Sequence, residues 1–93
     1  MDWTIVNNAN SAKDRIQTLF YLCRFRYEAS AKEAGERIAQ EPSDNQLCKQ
    51  TIGELRDELA SPSENLGMVR LSDTDVRTYL SELLGAFDES DKV

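Results

Sequence analysis

Three groups of side chains in this sequence are of types that could do chemistry: the thiols of Cys23 and Cys48, the acidic clusters "DTD" (73–75) and "DESD" (88–91), and the carboxylates Glu54, Asp57 and Glu58. A thiol works as a nucleophile or metal ligand when a base or further ligands stand beside it. Neither cysteine has such a neighbour in sequence, and both fall on expected buried helix faces, so they read as small buried thiols of a reducing compartment. The two acidic clusters have the oxygen-rich look of calcium loops. Neither continues into the glycine and terminal glutamate that an EF-hand loop requires. "DTD" reads instead as first-turn helix charge, which the helix dipole favours, and "DESD" as a solvated, frayed tail.

The chain has no histidine. That removes the commonest general base, the Ser-His and Cys-His nucleophile pairs and most zinc sites. The four glycines, Gly35, Gly53, Gly67 and Gly85, are scattered, so no phosphate-cradling loop is formed. The expectation is a non-enzymatic protein with no cofactor and no metal.

Helical periodicity positions what remains. A first helix is expected over 12–40, opened by "SAKD" with Ser11 at the N-cap and Asp14 three residues on. Its apolar stripe runs Ile16, Leu19, Phe20, Cys23, Tyr27, Ala31, Ala34 and Ile38, and Pro42 ends it. A second helix is expected over 44–60, capped by Ser43 with Gln46 completing the box, and with Leu47, Cys48, Ile52, Leu55 and Leu59 as its stripe. A third, over 73–87, follows Ser72, with Leu71 and Val76 spaced as a hydrophobic staple and Val76, Tyr79, Leu80, Leu83, Leu84 and Phe87 facing inward. The short runs "WTIV" (3–6) and "MVRL" (68–71) are expected to be extended, either paired as a small ribbon or with the first lying over a groove between helices. The fold class is all-α, one small domain of three main helices spanning 1–93, with 1–10 an N-terminal segment and 88–93 a flexible acidic tail.

"LFYLCRFRY" (19–27) sets a sharper question, because it mixes the densest apolar run with two arginines. At about 100° per residue from Ile16, Arg24 and Arg26 flank the core stripe on opposite sides, where their methylenes can cover apolar surface. Tyr21, Leu22 and Phe25 form a second apolar patch pointing away from that stripe. A helix with two apolar faces is either sandwiched within the fold or presents an interaction surface. Tyr21, Leu22, Arg24, Phe25 and Arg26 are therefore candidate partner-binding residues, being of types enriched in binding hot spots. On the second helix, Glu54, Asp57 and Glu58 share one side and form a candidate acidic docking surface.

Charge narrows the class of partner. The net charge is −6, with 17 acidic against 11 basic residues, and residues 1–40 carry +1 against −7 for 41–93. Nucleic-acid binding depends on neutralising phosphates, so direct DNA or RNA binding is disfavoured and a basic protein partner is favoured. No apolar run reaches the ~18 residues of a membrane span, and "MDWTIVNNAN" lacks the apolar length of a signal peptide, so a cytoplasmic protein with no membrane partner is expected. The reading is a small acidic regulator or inhibitor that works by protein–protein contact. An antitoxin, an immunity protein or a phage anti-defence protein that mimics nucleic-acid charge would fit. The alternatives are a structural or adaptor subunit that forms a homodimer through the first helix, and a helix-turn-helix DNA binder, for which the acidic third helix is poorly suited.

Overall fold

The computed structural model describes residues 1–42 and 44–92. They form five α-helices: α1 (Trp3–Asn7), α2 (Ala12–Tyr21), α3 (Ala31–Ala39), α4 (Gln46–Ala60) and α5 (Asp73–Asp91), with a π-helical segment, Leu22–Arg26, continuing α2. There is no strand among the described residues, in keeping with the all-α class, but the chain is divided into more helices than three. The radius of gyration is 12.0 Å, close to the ~12 Å of a well-packed chain of this length.

Local chemistry accounts for each start. Asp2 caps α1 by accepting the N–H groups of Thr4 and Ile5, so residues 3–6 are helical rather than extended. Ser11 and Ser72 cap α2 and α5 as their sequence motifs indicate, each accepting the N–H three residues on at 3.1 Å. Helix α4 begins later than expected, at Gln46, where Asn45 Oδ1 accepts the Cys48 N–H. Ser43, the expected cap, lies outside the described residues. Helix α5 runs past 87 and takes in residues 88–91, expected as a frayed tail. Arg56 grips Asp88 at 2.6 Å and holds that end down.

The single long helix expected over 12–40 is broken. After Tyr21 the backbone bonds lengthen to the π pattern, with Tyr27 N–H donating to the Leu22 carbonyl, and a still longer bond from Ala29 N–H to the Cys23 carbonyl closes the segment, both at 2.8 Å. Glu28 then takes φ 50°, a left-handed conformation that ends any helix. The chain restarts at Ser30, whose side chain caps α3 by accepting the Glu33 N–H. The bend lets α3 lie along α5, the most extensive helix contact in the molecule, with Ala31, Ala34, Gly35 and Ile38 buried there. Gly35 is required at this crossing. A Cβ there would collide with the Leu83 carbonyl, the Ala86 Cβ and the Phe87 nitrogen.

Ile16, Phe20, Cys23, Leu55, Leu80 and Leu83 are buried in one core as expected, with Leu59 half-buried at its edge. Two residues change sides. Tyr27, expected in the stripe, is exposed because the helix has already broken. Leu22, expected in the outward patch, is only 2% exposed although its backbone is still α-helical, because the fold covers that side of the helix.

Candidate protein-binding face

The C-terminal end of α2, the π segment and the turn at 68–71 converge on one face. Gln17, on α2, donates from Nε2 to the carbonyls of Leu66 (3.3 Å) and Gly67 (3.1 Å), tying the loop 61–72 to the helix. Leu66 is fully buried, and its N–H donates to Asp73 Oδ1 at 2.7 Å. Arg77 clamps the same loop by donating to Asp73, to Glu58 and to the carbonyls of Glu58 and Glu64. Burial by itself would push the Glu58 carboxyl up. Bonds from Arg77, from the Glu64 and Ser63 N–H groups and from the Ser63 hydroxyl outweigh burial and bring it down to about 2. The Leu66 N–H and Arg77 lower Asp73 in the same way.

On this support the run 68–71 does not pair with residues 3–6. It closes on itself, Met68 and Leu71 exchanging N–H to carbonyl bonds of 2.9 and 3.0 Å. Val69 stands at the tip, 89% exposed, and Arg70 takes a left-handed φ of 68°. Met68 shares a surface hollow with Tyr21, Asp14, Gln17 and Thr18, while Leu71 shares another with Arg24, Asp75, Tyr79 and Glu82.

Aromatic stacking organises the π segment. Phe25 lies 5.8 Å from Tyr21 and meets the buried Phe20 edge-to-face at 5.8 Å; Phe20 in turn meets Tyr79 edge-to-face at 5.2 Å. The Arg24 guanidinium carbon is 5.8 Å from the ring centres of Phe20, Phe25 and Tyr79, within cation–π range of all three. Tyr79 donates its hydroxyl to the Ala29 carbonyl at 2.6 Å, fixing the chain just beyond the bend, and burial pushes that phenol up to about 12. Tyr21 and Phe25 remain about half exposed and Arg26 is exposed.

Of the side chains picked from sequence, Tyr21, Arg24 and Phe25 are thus brought together here, and Arg26 follows on the same segment. Leu22 is in the core beneath them. Glu54, Asp57 and Glu58 line one surface hollow together with Lys13 and Glu64. Glu54 is held by Arg15 at 2.6 Å against α2, Glu58 by Arg77 at 2.9 Å, and only Asp57 is exposed. The carboxylates of Asp73 and Asp88 likewise serve Arg77 and Arg56. Comparison of the chain with protein-family models, with curated proteins and with solved structures finds no match.

Elsewhere the chemistry is quiet. Cys23 and Cys48 are buried free thiols, pushed up by burial to about 12 and about 11, so neither supplies a thiolate near neutral pH. Among the described residues no group of three histidine, cysteine or acidic side chains could hold a metal ion, and no helix is long and apolar enough to cross a membrane. A hollow beside Cys23, Tyr27 and Ile38 holds about 180 Å³, less than the ~300 Å³ of a typical small-molecule pocket.

Sequence reasoning missed Val69 and Arg70, reading "MVRL" as extended. No glycine, asparagine or aspartate marks the left-handed position at Arg70, so the turn carried no chemical signal. The break before α3 did carry one: "SAKE" (30–33) has the same capping-box spacing as "SAKD" (11–14).

Proposed function

We propose that this protein is a non-catalytic regulator that binds another protein through the face formed by Tyr21, Phe25 and Val69 with Arg24, Arg26 and Arg70. The observation that carries the reading is the coincidence of exposed apolar and arginine side chains on a rigidly braced surface. Tyr, Phe and Arg are the types whose desolvation supplies most binding energy at interfaces. The backbone beneath them departs from regular geometry, as it often does at functional sites, through the π segment and the left-handed Glu28 and Arg70. Charge mimicry by α4 has less in its favour, because Glu54 and Glu58 are already neutralised within the chain.

The test is paired affinity capture from the native host, with the intact chain and its Phe25→Asp variant as baits. A partner retained by the first and lost by the second is expected, with both baits equally helical by circular dichroism. Partners retained equally by both would sink the assignment of this face.

A further inference from the structure

The way the arginines are satisfied says what kind of partner the face takes. The chain has seven arginines and an excess of acids, 17 against 11 basic residues, so a carboxylate is within easy supply for each. Arg15, Arg37, Arg56 and Arg77 have one. Among the described residues Arg24, Arg26 and Arg70 form no ion pair, and these are the three on the proposed binding face. Arg24 moreover lies within cation–π range of three aromatic rings, which favour one placement of its planar fork. An ordered guanidinium fork matches a carboxylate or a phosphate, each of which accepts two parallel N–H bonds.

Although the net charge of the whole chain favours a basic partner, we infer that at this face the partner inserts a protein segment in which isolated carboxylates lie beside apolar side chains, the carboxylates pairing with Arg24, Arg26 and Arg70 and the apolar groups covering Tyr21, Phe25 and Val69. The inference rests on the protein-binding reading above. Carboxylates of the chain itself border the face, Asp14 in the hollow by Tyr21 and Asp75 and Glu82 in the hollow by Arg24. They exclude a continuous polyanion, since phosphates at every step of a nucleic-acid strand would meet them as well as the arginines. Isolated acids between apolar residues avoid them. A second copy docking by two-fold symmetry is also opposed, because it would set like patches, and so arginine near arginine, against each other.

Short random peptides displayed on phage and selected on the intact protein give the test. Enriched peptides are then synthesised and titrated against the wild type, a triple variant (Arg24→Gln, Arg26→Gln, Arg70→Gln) and Phe25→Asp. Enrichment of Asp or Glu beside aromatic or aliphatic residues is expected, with affinity falling about tenfold or more in the triple variant and falling also in Phe25→Asp. Peptides that lack carboxylates yet lose binding in Phe25→Asp would overturn the acidic partner and leave the face standing. Peptides indifferent to both variants, or no enrichment at all, would overturn both. Tight binding of a single-stranded oligonucleotide that the triple variant abolishes, or a dimer in sedimentation that the same variant dissociates, would overturn the acidic segment in favour of nucleic acid or of a second copy.

Discussion

The α3–α5 seam and the face at the end of α2 use apolar side chains to opposite ends. Along the seam Ala31, Ala34 and Ile38 are turned in, and the helices approach so closely that Gly35 leaves no room for a methyl group. At the end of α2, Tyr21 and Phe25 remain half in water, and the nearby turn lifts Val69 almost clear of the protein. Arginines divide in the same way. Arg77 is consumed by the structure, bracing the loop below the turn through two carboxylates and two carbonyls. Arg24, Arg26 and Arg70 do nothing of that kind among the described residues. A small domain can spend most of its packing on one seam and still keep an ordered, under-satisfied surface beside it, provided that surface is braced from below.

The comparison breaks most readily at the seam. Leu80 is fully buried, and Leu80→Ala removes apolar contact and leaves a cavity, at a cost of about 2–5 kcal/mol. Chemical denaturation would register this as a lower midpoint at unchanged slope. A cost under about 0.5 kcal/mol would mean that the seam is not the principal source of stability.

The brace between the regions comes next. Arg77→Ala leaves Glu58 largely buried without its cation and frees the carbonyls of Glu58 and Glu64, and about 2 kcal/mol is expected to be lost near neutral pH. Because the folded Glu58 carboxyl sits at about 2, below its ordinary 4.5, its contribution is complete above about pH 4.5 and disappears as pH falls toward 2. The stability difference between wild type and Arg77→Ala should therefore shrink over that interval. A difference constant from neutral pH to pH 2 would show that the ion pair is not what Arg77 provides.

Smaller and opposite in sign is the effect of relieving the bend. Glu28 holds φ 50° without a glycine's freedom, so Glu28→Gly should stabilise the fold by about 1 kcal/mol in thermal or chemical unfolding. Destabilisation would mean that the Glu28 side chain contributes more than its backbone costs.

The smallest effect on folding belongs to the binding face. Replacing Arg26 and Arg70 by glutamine should change stability by no more than about 0.5 kcal/mol each, since both are exposed and unpaired among the described residues, and Arg24→Gln by about 0.5–1 kcal/mol through its lost ring contacts. A large loss would move these arginines from the open face to the structural set, and with it would go the contrast between the two regions.

Much of this organisation is local and therefore legible in the chain. Ser11 and Ser72 announce α2 and α5 because capping is an interaction across three residues, and the apolar spacing of Ile16, Leu19 and Phe20, or of Val76, Leu80 and Leu83, is repeated within each helix. Tyr21 and Phe25 could be assigned to an outward face for the same reason. What lay beyond reach depends on contacts between residues far apart. The apolar period runs without interruption through Cys23, Tyr27 and Ala31, so the capping spacing of "SAKE" (30–33) marks where α3 can start, but nothing local says that the chain bends there. The bend is favourable because Tyr79 bonds Ala29 and because Gly35 meets α5, contacts spanning about fifty residues. Once the chain bends, Leu22 is covered by the fold and Tyr27 is left outside. Glu54 and Glu58 looked like an exposed acidic side because helical angle records only which way a side chain leaves its own helix. Whether Arg15, 39 positions away, or Arg77, 19 positions away, waits there to neutralise it is settled only when the helices pack.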